Sequence, residues 1–210
     1  MPYVALHARH LVLASASPRR RALLESAGFP FQVMPVQVDE VGPGDQEDPW
    51  WSVRENARRK AVAATRRVSG SAVVLAADTI LVVDSGWIGK PGTPEEALGM
   101  LEDLGGKTHQ VATAVSLLGA EVSELFVEVT SVLLKPITTH EIQAYHAVVD
   151  PLDKAGGYDI HQHGPLPGGV VASIEGSYSN VMGLPMERLS PLLADFIGPP
   201  PDDVKQSEKT

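Results

Sequence analysis

Val73-Val74-Leu75-Ala76-Ala77-Asp78-Thr79-Ile80-Leu81-Val82-Val83 sets a single acid inside an otherwise apolar run. A run rich in valine and leucine reads as a strand buried on both faces, as in the middle of an α/β sheet. A carboxylate within it is costly to desolvate unless a cation or a hydrogen-bond donor meets it. Asp78 falls where the run pauses, which places it at a strand end beside a cleft, where ligands of open α/β sheets collect. The alternative is a turn aspartate between two hairpin strands. The functional reading gains from other polar groups set in unusual places nearby.

Upstream, Leu11-Val12-Leu13-Ala14 is a short strand that ends at Ser15-Ala16-Ser17-Pro18. Ser17 suits a helix N-cap and Pro18 the first helical position, and Gly28 supplies the stop. Free N–H groups at such a helix start attract anions. Arg19 and Arg20 in the first turn oppose the helix dipole, so they point to an anionic ligand; the alternative is a solvated basic face. Phe29 to Val38 reads as a second strand followed directly by Asp39-Glu40. A helix from near Pro49 to Val68 carries the apolar stripe Val53, Ala57, Ala61, Ala64 and Val68, with Lys60 along its edge. Lysines usually snorkel to water, so Lys60 gains meaning only if this helix packs beside Asp78.

Downstream, Asp84-Ser85-Gly86 marks a hairpin turn, and Gly89-Lys90-Pro91 holds a lysine in a stiff loop. Thr93-Pro94-Glu95-Glu96 starts a helix that runs to about Leu104. Gly105-Gly106-Lys107-Thr108 looks like the tail of a P-loop, but Leu101 stands where the first glycine belongs and a helix precedes it. That reading is rejected. Val111 to Leu118 and Leu125 to Leu134 read as antiparallel strands, and Thr138-Thr139-His140-Glu141 starts a helix that ends by Asp150-Pro151. Lys154 lies in a flexible Asp153–Gly157 loop. His161-Gln162-His163 would set two imidazoles on one strand face; without a third ligand they read as surface or substrate-contacting groups rather than a metal site. Val170 to Ile174 is a last strand, and a C-terminal helix follows Gly183-Leu184-Pro185.

The 210 residues suffice for one large domain or two small ones sharing a core, and the absence of cysteine excludes disulfides and thiolate chemistry. A formal charge of -9 argues against a broad nucleic-acid-binding face. No apolar run approaches the ~20 residues of a membrane span, and the first ten residues lack a signal-peptide layout. A soluble, cytoplasmic protein with no nucleic-acid or membrane partner is expected. The tail from Gly198 to Thr210 reads as disordered.

Arg19, Arg20, Glu40, Asp78, Lys60, Lys90 and Lys154 suit metal-assisted attack of water on a phosphate chain. Mg²⁺ is held by one or two carboxylates plus substrate phosphates, a carboxylate takes the proton from water, and cations offset charge on the leaving group. Ser15-Ala16-Ser17-Pro18-Arg19-Arg20, Asp39-Glu40, Ala77-Asp78-Thr79, Gly89-Lys90-Pro91, Asp153-Lys154-Ala155-Gly156 and Gly183-Leu184-Pro185 closely resemble, in order, the motifs of the Maf family, the septum formation inhibitor Maf.

The resemblance implies an α/β, ITPase-like fold: an elongated, curved mixed sheet flanked by helices, forming one domain over residues 1–197 with two lobes around a central cleft. It implies a nucleoside triphosphate pyrophosphatase using a divalent cation, Mg²⁺ or Mn²⁺. Carried over by position, Asp78 matches the proton acceptor and Glu40 a carboxylate of the metal and catalytic site; these two are the implied metal ligands. Lys60 and Lys90 match phosphate-side lysines, and Ser17 and Arg20 lie in the phosphate-binding loop. Arg19, Thr79 and a glutamine after the Lys154 loop match positions that separate a dTTP/UTP branch from a 7-methyl-GTP branch. Arg19 and Thr79 favour the pyrimidine branch.

This chain reads Tyr158-Asp159-Ile160-His161-Gln162 where the family commonly reads Tyr-Gly-Ile-Gln, and the segment to Ile174 is longer than usual. Either Gln162 takes the specificity position after a one-residue slip, or His161 replaces it. The rivals to a dTTP/UTP pyrophosphatase are the same reaction on another base and a non-hydrolysing nucleotide-binding regulator of cell division. The sequence leaves open whether two copies form a homodimer.

Overall fold

The apolar run forms part of one unbroken strand in the computed structural model, which describes residues 9–42, 48, 50–83, 86–161, 166 and 168–201. This strand, β3 (Ala72–Val83), belongs to a seven-stranded mixed sheet with β1 (His10–Leu13), β2 (Phe31–Val33), β4 (Gly86–Ile88), β5 (Thr108–Gly119), β6 (Val122–Leu134) and β7 (Val171–Glu175). The order is β2-β1-β3-β5-β6-β7, with β4 paired to β3. β1 runs parallel to both β2 and β3, and the remaining pairs are antiparallel.

Asp78 therefore sits within a strand, opposite Ala114 of β5, and at neither a strand end nor a turn. What singles out its position is the neighbouring edge. β5 covers one edge of β3 from Val74 to Val82. On the other edge β1 pairs only as far as Leu75, and β4 begins only at Leu81. Ala76 to Ile80 face a gap in the sheet. Side chains from both faces of β3 reach the cleft that opens there, so the adjacent residues Asp78 and Thr79 both line it.

Among the described residues six α-helices flank the sheet: α1 (Pro18–Ser26), α2 (Trp51–Thr65), α3 (Pro94–Leu104), α4 (Thr139–His146), α5 (Tyr178–Met182) and α6 (Met186–Ile197). Ser17 caps α1 through its side chain, with Pro18 in the first turn, as its residue types require. Along α2 the apolar stripe is mostly alanine. Ala61 and Ala64 pack on Val12, Val74 and Ala76, while Val53 and Ala57 meet Ile80, Ala112 and Ala114. Small side chains bring this helix close enough for Lys60 to reach β3. Thr93 caps α3, and Thr138 with Glu141 forms a reciprocal capping box on α4.

The remaining core gathers at the two ends of the sheet. Leu11, Leu13, Phe29, Leu184, Leu189 and Leu193 pack around α1 and α6. Leu101, Leu104, Val132, Ile142 and Tyr145 pack around α3 and α4.

Several boundaries differ from the sequence reading. The second strand stops at Val33, because its partner β1 offers no residue beyond Leu13, so Glu40 lies in an irregular segment well past it. The helix α4 ends at His146, ahead of Asp150-Pro151 as expected. Ala155–Gly157 forms a 3₁₀ turn inside the expected flexible loop. His161 belongs to no strand, while Gln162 and His163 lie outside the described residues, as do Pro49, Asp84, Ser85 and the tail from Asp202. The short helix α5 was not foreseen. Gly105-Gly106 joins a helix to a strand, the reverse of a P-loop's setting. Among the described residues no helix is long and apolar enough to cross a membrane.

Candidate active site

The gap beside β3 opens into a cleft of about 460 Å³. At its centre Lys60, from α2, places its Nζ 2.7 Å from Asp78 Oδ1 and 2.7 Å from Glu40 Oε1. Two acids from separate segments thus lie within two hydrogen-bond lengths of one another. Asn56, one turn before Lys60 on the same helix face, organises this meeting. Its amide exchanges two hydrogen bonds with the Val41 backbone, at 2.8 and 3.1 Å, and donates to Asp78 Oδ2 at 3.2 Å. Arg59 Nη1 donates to the Asp39 carbonyl at 2.9 Å. The irregular segment carrying Glu40 is therefore tied to α2 on both sides of that residue.

Arg20 occupies the opposite wall. Its Nε donates to the Gly183 carbonyl at 2.9 Å and its Nη2 to Thr79 Oγ1 at 3.0 Å. Gly183 has φ +111°, and a Cβ there would stand 3.2 Å from Arg20 Nε. Burial depresses the Arg20 pKa; Asp78 opposes that shift, Arg19 adds to it and Glu40 opposes it. Arg19 leaves the first turn of α1 for Asp153, contacting its carboxylate and its carbonyl at 3.2 Å each. Lys154 pairs with the same carboxylate and donates to the Asp150 carbonyl at 2.8 Å. Desolvation raises the Asp153 pKa, but the hydrogen bond from Lys154 and the charges of Arg19, Lys154 and Lys90 outweigh it, and the net shift is downward.

Lys90 stands at the rim. Although largely exposed by area, its pKa is lowered, first by desolvation and then by repulsion from Arg20 and Arg19. Its loop is tied to the 3₁₀ turn by the Gly156 N–H donating to the Gly89 carbonyl at 3.1 Å. Ser17 also lines the cleft, near the start of α1.

Of the expected site residues, Ser17, Arg19, Arg20, Glu40, Lys60, Asp78, Thr79, Lys90 and Lys154 all line this one cleft. Gln162 lies outside the described residues. His161 is placed, with Nδ1 3.1 Å from the Tyr178 hydroxyl and its backbone N–H donating to Asp159 Oδ1 at 2.9 Å. Sequence reasoning missed Asn56 and Tyr158. Asn56 was legible as a polar residue one turn from Lys60 beside an alanine stripe. Tyr158 is braced by a distant residue: His109 Nε2 lies 2.7 Å from its hydroxyl. Desolvation lowers the His109 pKa to about 4 and raises that of Tyr158.

Among the described residues the lining carries five cationic and three acidic side chains, in a chain of formal charge -9, so the cleft is a local sink for anions. Its other part is apolar, formed by Leu81, Val111, Tyr158, Ile160 and Val181. Among the described residues no three His, Cys, Asp or Glu side chains cluster to make a complete metal cage. The donors that meet at one point are the Glu40 and Asp78 carboxylates. That set fits a hard divalent cation completed by water and substrate phosphates, not zinc.

Fold and cleft together define an α/β protein built to hold a polyanion with an apolar appendage. A family model described as Maf-like protein matches residues 10–196, and the chain belongs to the Maf family. It is 42% identical over 188 residues to a dTTP/UTP pyrophosphatase of Bacillus cereus (strain AH820), covering 90% of this chain and 96% of that protein. A dTTP/UTP pyrophosphatase of Pelotomaculum thermopropionicum is 40% identical over 190 residues, covering 90% and 97%. Among solved structures, a HAM1 protein from Coxiella burnetii is 17% identical with a TM-score of 0.43, covering 60% of this chain and 72% of that one.

Proposed function

We propose that this protein is a nucleoside triphosphate pyrophosphatase acting on dTTP and UTP. The observation that carries the reading is the Lys60 bridge, which holds the carboxylates of Asp78 and Glu40 together in a cationic cleft. The names of the two relatives support the pyrimidine substrates.

The triphosphate lies along the charged part of the cleft. Lys60, Lys90, Lys154 and the free N–H groups of Arg20 face its oxygens, and Ser17 offers a hydroxyl near the helix start. The base and sugar turn to the apolar part, against Leu81, Val111 and Tyr158. Water attacks the α-phosphorus, the bond to the bridging oxygen of the β-phosphate breaks, and pyrophosphate leaves the monophosphate behind. Asp78 takes the proton from the attacking water, with Lys60 and Asn56 fixing the carboxylate's orientation. The lysines offset the charge that grows on the departing pyrophosphate. Glu40 and Asp78 would hold a divalent cation, Mg²⁺ or Mn²⁺, which when bound neutralises phosphate charge.

The test is a panel of dTTP, UTP, CTP, GTP and 7-methyl-GTP, assayed for pyrophosphate and monophosphate in each metal. Turnover of dTTP and UTP above the rest is expected. Preferential turnover of a purine would refute the substrate assignment, and triphosphate binding without pyrophosphate release would refute the hydrolase assignment.

A further inference from the structure

Behind the cleft wall, the hydroxyls of Thr79 and Thr113 face each other across the β3–β5 pair, 2.9 Å apart. Their outer partners decide which one donates. Thr113 Oγ1 lies 3.0 Å from the Asn180 carbonyl oxygen, which can only accept, so the single proton of Thr113 goes there. Thr113 must then accept from Thr79. On the other side Arg20 Nη2, which can only donate, lies 3.0 Å from Thr79 Oγ1. The direction is fixed from Arg20 to Thr79, from Thr79 to Thr113 and from Thr113 to Asn180. Thr113 and Asn180 are both fully buried, so bulk water offers neither one another partner.

Thr79 itself lines the cleft, on the same face of β3 as Leu81, whose strand partner Val111 belongs to the apolar part. Its proton is committed inward, and only a lone pair is left for a ligand. A phosphate oxygen or a ring carbonyl finds no donor in this hydroxyl; an N–H group finds an acceptor.

We infer that Thr113 is a positioning residue which makes Thr79 an acceptor-only contact for the bound base, selecting a ring with an N–H at that edge. In uracil and thymine that group is the imide N3–H. The unprotonated N3 of cytosine would set lone pair against lone pair, an unpaired contact that costs affinity. The inference rests on the nucleotide reading above and deepens it.

The experiment measures binding of the α,β-methylene analogues of UTP and CTP, in Mg²⁺, to wild type, Thr113→Val and Thr113→Ser. Valine keeps the shape and removes the acceptor, and the Asn180 carbonyl retains the Gly183 N–H at 2.9 Å, so no carbonyl is stranded. The Thr79 proton is then free to turn into the cleft. Wild type is expected to prefer the UTP analogue, valine to narrow that preference roughly tenfold, and serine to restore it. Equal weakening of both analogues by valine, as a merely structural residue would give, overturns the inference. So does a wild type without preference, or a preference that serine fails to restore. Analogue binding with the expected ratios but no pyrophosphate release from UTP would sink the hydrolase reading alone.

Discussion

Replacing Lys60 with methionine keeps most of the side-chain stem and removes the one cation between two acids. In the wild type the Lys60 and Asp78 side chains are 14% and 12% exposed, whereas Glu40 is 57% exposed. Breaking a fully buried ion pair costs about 3–5 kcal/mol. Here Asp78 keeps the Asn56 amide at 3.2 Å and faces a cleft open to water. The expected loss at neutral pH is therefore about 1–3 kcal/mol, nearly all of it from Asp78. Urea unfolding of both proteins at neutral pH, with the slope unchanged, reads the effect as a shift of midpoint. Millimolar Mg²⁺ should also raise the variant's midpoint more than the wild type's, because the variant no longer holds a cation of its own between the acids. Equal midpoints at neutral pH would refute the reasoning.

Three further outcomes follow from the cleft and its supports. The pKa of Lys90 is lowered by desolvation and by Arg20 and Arg19, so its charge is lost earlier than an ordinary lysine's as pH rises. The alkaline limb of kcat/KM for UTP should move to higher pH in Lys90→Arg, and an unmoved limb would exclude Lys90 from phosphate binding. The folded-state pKa of His109 is about 4, below the ordinary ~6.5, so the unfolded chain binds more protons between those values. Stability should fall by about 3 kcal/mol as pH drops through that window, and His109→Gln should flatten the dependence; parallel curves would contradict it. Gly183→Ala forces an L side chain to φ +111° and crowds Arg20. It should cost about 1–3 kcal/mol and raise KM for UTP, whereas a wild-type KM would show that Arg20 is not held for the substrate.

The parts of the site that were legible in the sequence are those whose chemistry is local. Ser17 and Pro18 specify a helix start by themselves, and arginines in that first turn are unfavourable enough to demand a partner. The partners found are the Asp153 carboxylate for Arg19 and the Gly183 carbonyl and Thr79 for Arg20. An acid inside an apolar run signalled a special place, but its mechanism was misjudged. Asp78 needs no strand end, because the sheet gap between β1 and β4 brings the cleft to the middle of the strand. That gap depends on two distant strands stopping short, which no local pattern encodes. The same holds for Glu40, carried by an irregular segment that two side chains of α2 hold in place. Thr113 and His109 read as ordinary members of a strand, and their roles exist only through partners far along the chain.

The account depends most on Asp78, and pyrophosphate release from UTP by wild type and by Asp78→Asn tests it most directly. Equal concentrations of folded protein, each shown to bind α,β-methylene UTP, are compared in Mg²⁺ and in Mn²⁺. The account predicts UMP and pyrophosphate from the wild type and a rate at least ~100-fold lower from the variant. Undiminished release by Asp78→Asn would contradict it.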